Sequence, residues 1–413
     1  MTTIAKSRTA PAGRAPDSAR GRILFTFTVS QSLIFVAGLA RYLRTRGWDV
    51  GIASAGGPEL ERMGAEGFPT FVVPFTRTSG ADLAALRRLR SVLRAFRPDI
   101  VHASTPKAGT LTMLTSVGLP ARRIYTMRGL PLETATGPAR ALMWLAEFVS
   151  CTLAHRALCV SQSLRYRALE LRIASARKLT VLGRGSGQGV DCDRFDPDRA
   201  TDATRVAIRG RLGIPDDAFV FGFVGRFARD KGIRELHAAW AQQVEQDVTS
   251  HLVLVGRSDE RQDVSAVMAG LQALPRVHIQ PHSTDMPGLY CSFDAVVLPT
   301  YREGLSNVLL EAGAMGLPAV SAAVTGCTDV VADGETGRLV PARDPNGLAV
   351  AMQQYAGDPE LARRHGAAAR ERVIRDFRQE HVWRMIESIY VRQMDMAPRA
   401  GRRFRSLPQY EAD

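Results

Sequence analysis

Long apolar runs are missing from this sequence. No stretch approaches about 18 uninterrupted apolar residues, the length that a membrane-spanning helix needs. The most apolar helical segment, ALMWLAEFVSCTLAHRALCV, is broken by Glu147, His155 and Arg156. Cysteine is sparse. The five present (Cys151, Cys159, Cys192, Cys291, Cys327) are an odd count, widely scattered, with no CxxC pair or Cys/His cluster. That spacing excludes a disulfide framework and a zinc site, and it fits a reducing cytoplasm. A secretory leader is missing too. The first twenty residues, MTTIAKSRTAPAGRAPDSAR, hold little that packs and read as a disordered tail. Beyond that tail there is no short repeat and no low-complexity stretch.

What is present is charge, unevenly placed. The 413 residues carry a net +13. Residues 1–180 hold 26 Lys and Arg against 10 Asp and Glu, and the remainder hold 28 against 31. A basic half beside a near-neutral half points to an anionic surface or substrate for the first half only. An anionic membrane leaflet would contribute about 1 kcal/mol per basic side chain near it. Solubility alone is the plainer alternative. Nucleic acid is disfavoured, because the basic half lacks interleaved aromatics and a recognisable reading helix.

Short β-rich runs alternate with helical runs. RILFTF (22–27), WDVGIAS, TFVVPF, PDIVHAS and RRIYTM read as strands in the first half. LIFVAGLARYLRTRG reads as a helix. The segment from Asp82 to Arg97 is a clear helix, with Leu83, Leu86, Leu89, Val92, Leu93 and Phe96 on one stripe. Its arginines, Arg87, Arg88, Arg90, Arg94 and Arg97, are solvated or face anionic lipid. GPARALMWLAEFVSC reads as a core or domain-surface helix. Around DCDRFDPDRATDATR the alternation pauses, as a linker would. It then restarts with AFVFGFVG (218–225), HLVLVG (251–256), RVHIQP, AVVLPT (295–300) and a final strand, AVSAAV, with helices GIRELHAAWAQ and NVLLEAGAMG between. The expected fold is α/β: two Rossmann-like doubly wound domains facing a central cleft, where ligands bind at the carboxyl ends of the strands.

Two segments carry chemistry. GRFARDKG (225–232) follows a strand and precedes a helix. Gly225 permits a sharp turn, and Arg226 and Lys231 would stand where a helix N-terminus already favours an anion such as a diphosphate. Two solvated cations in a loop are the bland reading. YREGLSNVLLEAGAMGLP (301–318) follows the strand AVVLPT. Ser306 or Asn307 can cap its helix, with Glu303 in the loop and Glu311 one turn in. A carboxylate accepts two hydrogen bonds at once and so suits vicinal hydroxyls. The bland readings are a helix-surface charge for Glu311 and a first-turn charge for Glu303.

The pattern EG-(7)-EA-x-A-x-G-x-P, then GCTDVVADGETGRLVP, together with GRFARDKG, closely resembles the retaining glycosyltransferases of family 4. TPKAG (105–109), GLP (129–131), ETATG (133–137), LCVSQSL (158–164) and GSGQGVDCDRFDP (185–197) resemble the branch acting on undecaprenyl-diphosphate-linked sugars in capsule, O-antigen or protein-glycan assembly. The resemblance spans Arg22 to about Tyr390. It implies the glycosyltransferase-B arrangement and a nucleotide sugar, UDP-linked, as donor of a hexose or N-acetylhexosamine. Arg226 and Lys231 would neutralise the donor diphosphate in place of a metal, and no cofactor is implied. Glu303 would hold hydroxyls of the transferred sugar. Gly225 and the run Gly304, Leu305, Ser306, Asn307 and Val308 would line the donor, and Glu311 would hold the ribose. Thr105, Lys107 and Arg128 would serve the acceptor or phosphate side. Arg128 stands where the family often has His, and Ser104 where related chains often show another. His102 reads as a packed or hydrogen-bonded residue rather than a catalyst.

The implied domains are a tail (1–20), an acceptor-binding domain (21–195), a linker (196–215), a donor-binding domain (216–380), a helix crossing back (381–396) and a tail (397–413). The implied partners are the donor, a lipid-linked sugar acceptor and an anionic membrane surface, so a cytoplasmic, peripheral location is expected. A sugar-nucleotide epimerase, a phosphorylase and a silent sugar-nucleotide-binding scaffold subunit are the rival readings.

Overall fold

The computed structural model describes residues 20–75, 82–185, 187–199, 202–246, 249–259, 262–281, 283 and 285–396. The tails expected at 1–20 and 397–413 fall outside them, apart from Arg20.

The first sheet holds β1 (Gly21–Thr26), β2 (Trp48–Ser54), β3 (Thr70–Val72), β4 (Ile100–Ser104), β5 (Arg122–Met127), β6 (Arg156–Cys159) and β7 (Leu179–Val181), in the order β3-β2-β1-β4-β5-β6-β7. The second holds β8 (Val220–Phe227), β9 (His251–Ser258), β10 (Val277–Gln280), β11 (Ala295–Leu298), β12 (Ala319–Ala322) and β13 (Gly337–Val340), in the order β10-β9-β8-β11-β12-β13. Pairing is parallel throughout, as between Ile23 and Ile100 or Phe221 and Leu252. The strands are near-continuous apolar runs because helices cover both faces. Each sheet reverses its strand order once, between β1 and β4 and between β8 and β11. A crevice opens at the carboxyl ends of such strands.

Two sequence expectations need correction, and two strands went unread. AVSAAV is not the last strand; β13 follows and pairs with β12 from Ala319–Gly337 to Ala322–Val340. β6 and β7 join the first sheet although their short runs of four and three residues carry little periodicity of their own. The stretch 196–215 is more than a connector. It holds the helix Asp202–Leu212, whose Arg209 is fully buried and donates to Asp294 (2.7 Å) and to the carbonyls of Ser292, Asp216 and Ala218.

The last helix, Gln379–Asp395, packs into the first domain. Val382, Ile386, Ile389 and Tyr390 join the core around Ile23, Phe25 and Trp48. Glu387 on that helix accepts hydrogen bonds from Trp48 Nε1 (3.0 Å), the Tyr42 hydroxyl (2.9 Å) and Arg20 (3.0 Å). His102 is buried in the middle of β4. Its ring nitrogens bond the hydroxyls of Tyr390 and Thr126, each at 2.6 Å, and burial pulls its pKa down to about 3. It is a packed, hydrogen-bonded residue, as expected, although it stands in mid-strand rather than at a strand end.

The helix Gly137–Leu153 is inverted relative to an ordinary surface helix. Its buried residues are Glu147, Ser150 and Cys151. Leu142, Leu145 and Phe148 face outward, 68%, 50% and 37% exposed. The Glu147 carboxyl accepts from the buried Tyr125 hydroxyl at 2.9 Å, and burial pushes its pKa up to about 8. Beside it runs the helix Pro106–Ser116 with exposed Leu114, then the helix Asp82–Phe96 with exposed Arg87, Arg88 and Arg94. Among the described residues no helix is long and apolar enough to cross a membrane.

Candidate active site

One cavity of about 240 Å³ lies between the domains. From the second domain it is lined by Val224, Gly225, Lys231, Leu298, Glu303, Gly304, Leu305, Ser306, Asn307 and Val308; from the first, by Phe35, Arg128 and Val160, with Gly187 and Gln188 from the segment joining the two. Local chain chemistry explains the placement. β8 and β11 end at the cavity floor. A 3-10 turn, Arg229–Lys231, closes on Gly232 in the left-handed region (φ 72°), and a Cβ there would stand 2.0 Å from the Pro299 carbonyl oxygen. Only glycine meets both demands. Ser306 caps the helix Asn307–Ala314 by accepting from Leu309 N at 3.4 Å, so the helix's amino end faces the cavity.

Lys231 and Glu303 form an ion pair within the cavity, each with less than a fifth of its side chain exposed. Arg226 stands elsewhere. It lies in β8, not in a loop after it, because β8 pairs with β9 as far as Phe227 and Ser258. Its guanidinium is ion-paired to Asp259 and lies 3.8 Å from Asp230. Arg226 does not line the cavity. Arg302 also pairs with Asp230, at 3.1 Å. Glu311 is one turn deeper and outside the cavity lining. It accepts from the Tyr290 hydroxyl at 3.0 Å, and burial raises its pKa to about 7.

The first-domain expectations divide. Arg128 lines the cavity. Thr105 and Lys107 do not. Thr105 (φ 75°) bonds the Thr28 hydroxyl at 2.7 Å, and Lys107 is ion-paired to Asp82 at 2.7 Å. Both stand at the start of the helix Pro106–Ser116, away from this cavity, on the domain to which the acceptor side was assigned.

Residues missed from sequence join the domains here. Asp329 accepts from the amides of Gln162 (2.8 Å) and Ser163 (3.1 Å), and Ser161 donates to the Gly304 carbonyl at 2.6 Å. Glu133 accepts from Thr325 across the same seam at 3.2 Å. Their only sequence signal was the motif each sits in, LCVSQSL, GCTDVV or ETATG. Among the described residues no three His, Cys, Asp or Glu side chains are grouped to hold a metal ion.

Comparison with known proteins matches this geometry. Residues 34–193 fit the family model described as Glycosyltransferase Family 4, and residues 218–358 the one described as Glycosyl transferases group 1. The capsular polysaccharide biosynthesis glycosyltransferase CapM of Staphylococcus aureus is 31% identical over 373 residues, covering 89% of this chain and 96% of that protein. The chain belongs to the group 1/family 4 glycosyltransferases. Solved structures share the fold of this glycosyltransferase. Sucrose-phosphate synthase from Thermosynechococcus elongatus superposes with a TM-score of 0.77 at 22% identity, covering 91% of this chain and all of the other. Anabaena HepE, solved with UDP-glucose, gives 0.76 at 19%, covering 90% and all of the other. The two parallel-sheet domains of the glycosyltransferase-B arrangement are thus shared.

Proposed function

We propose that this glycosyltransferase moves a hexose or N-acetylhexosamine from a UDP-sugar to a lipid-linked saccharide, with retention at the anomeric carbon and no metal. The process is the building of a capsule or a related surface polysaccharide. The observation that carries the donor reading is the ion pair Lys231–Glu303 at the amino end of the helix Asn307–Ala314. A diphosphate placed there would meet a lysine and free helix amides, and would release Glu303 to accept from sugar hydroxyls. Lys231 then offsets the charge that grows as the bond from the anomeric carbon to the diphosphate breaks, the kind of electrostatic help that is often the largest rate term. Glu303, already held by a cation, acts as a positioning group rather than a nucleophile. Glu311 is assigned to the ribose, and Arg226 to the rim of the diphosphate site through its strand-end position.

Support for a lipid-linked acceptor comes from the outer face of the first domain. Exposed apolar Leu142, Leu145 and Phe148, and the exposed arginines of Asp82–Phe96 on the far side of Pro106–Ser116, suit an anionic bilayer surface. CapM is by name a capsular polysaccharide biosynthesis enzyme, which supports the pathway assignment. The test is turnover of a panel of labelled UDP-sugars with a membrane lipid extract, with and without a chelator, and product stereochemistry by NMR. Transfer to lipid with retention, undiminished by chelation, is expected. Donor binding without transfer over a broad acceptor panel overturns the assignment.

A further inference from the structure

We propose that Arg128 is an oxyanion ligand, set on the first-domain wall of the cavity so that a bound anion is shared between the domains. This rests on the donor reading of the cavity. Arg128 follows β5, and its guanidinium lies over the ring of Phe35 (4.8 Å) and beside that of Phe27 (5.8 Å). Those rings orient the fork but do not satisfy it. Among the described residues Nε is buried without a hydrogen-bond partner, and Nη2 makes a 3.5 Å contact to the Phe35 carbonyl. Among the described residues no carboxylate pairs with it; the ionisable groups that act on it are Tyr390, Tyr125 and the buried ring of His102.

The other cations nearby are neutralised. Lys231 has Glu303, Arg226 has Asp259, and Arg302 has Asp230. A half-buried guanidinium that no described carboxylate neutralises is costly to keep. Burial lowers its pKa only to about 10, so it stays charged at neutral pH. Opposite stands the amino end of the helix Asn307–Ala314, the second positive feature of the cavity. The two walls also touch: a Cβ on Gly304 would lie 1.8 Å from the Arg128 carbonyl oxygen. A phosphate or carboxylate between them would take a two-pronged contact from Arg128 on one side and helix amides on the other.

That oxyanion can be the donor's diphosphate or a carboxylate on the transferred sugar. Calorimetry with uridine, UDP, UDP-glucose and UDP-glucuronate separates the sources. The variants are Arg128→Gln and Arg128→Met, the second an uncharged chain able to lie on the same rings. If the diphosphate is the ligand, either variant weakens UDP about tenfold or more and leaves uridine unchanged. If the sugar carboxylate is the ligand, UDP binds as before and a preference for UDP-glucuronate over UDP-glucose disappears. Wild-type affinity of both variants for all four compounds overturns the proposal. Failure of the unaltered protein to bind UDP instead overturns the donor reading beneath it.

Discussion

Ser163 and Asp329 stand 166 residues apart and are hydrogen-bonded across the domain seam through both the amide and the hydroxyl of the serine. Asp329 caps the helix Gln162–Glu170 from the opposite domain, and Ser163 Oγ accepts from Gly326 N at 2.8 Å in return. The carboxylate thus satisfies first-turn amides of a helix in its neighbour and complements the dipole there. It ties the two domains together at this seam.

Asp329→Ala should therefore open the seam. A helix cap removed this way costs about 0.5–2 kcal/mol. The expected result is a fall in kcat of about three- to thirty-fold with uridine affinity kept, since Glu311 and the helix Asn307–Ala314 are on one domain. Steady-state kinetics beside calorimetry reads the split; equal loss in both would place Asp329 in donor binding instead.

Gly304 admits no side chain. Its added methyl would overlap the Arg128 carbonyl oxygen at 1.8 Å, and backbone cannot step aside as a flexible side chain does. Gly304→Ala should hold the domains apart and lower kcat/KM by about 100-fold or more. Small-angle scattering should show a larger radius of gyration; an unchanged radius with full activity would refute the close approach.

Glu311 gives a pH signature. Burial raises its pKa to about 7, against the favourable bond from Tyr290. Ribose hydroxyls need the ionised form as acceptor, so the Kd of a UDP-sugar should rise about tenfold between pH 8 and pH 6. Stability runs the other way. A carboxyl whose pKa is raised on folding contributes stability below about pH 4.5 and loses it as pH climbs through 7. Glu311→Gln should flatten both profiles, and binding curves that keep their slope in this variant would remove the ribose assignment.

The apolar row on Gly137–Leu153 can be tested without touching the cavity. Leu142→Glu with Leu145→Glu changes two exposed positions, so stability should move by no more than about 1 kcal/mol. Co-sedimentation with phosphatidylglycerol vesicles should fall several-fold, and turnover of a soluble acceptor analogue should not. Unaltered sedimentation would exclude this face from membrane contact.

Periodicity carried much of the fold. Trp48–Ser54 and Arg122–Met127 are strands residue for residue as their apolar runs suggest, and the helix Asp82–Phe96 ends one residue before Arg97. Lys231, Glu303 and Ser306, singled out from their motifs, line a single cavity in the structure. β6, β7 and the helix Asp202–Leu212 were illegible, because a three- or four-residue strand has no period and an acidic, proline-bearing run hides the arginines that later bury against Asp294. The inversion of Gly137–Leu153 was hidden as well: composition says how apolar a helix is, but not which side meets the sheet.

Alternation and spacing, which act within about twenty residues, determined by themselves that the chain is two wound sheets with a phosphate-friendly helix end in the second. Partnership is not local. Arg226, Lys107 and Arg128 are all cations in loop-like or strand-end contexts by sequence. Tertiary contact alone gave the first to Asp259, the second to Asp82, and left the third in a cavity with no carboxylate partner among the described residues. A side chain's charge is written in the sequence, but what that charge does depends on which groups the fold brings within a few ångströms, and how little water remains between them.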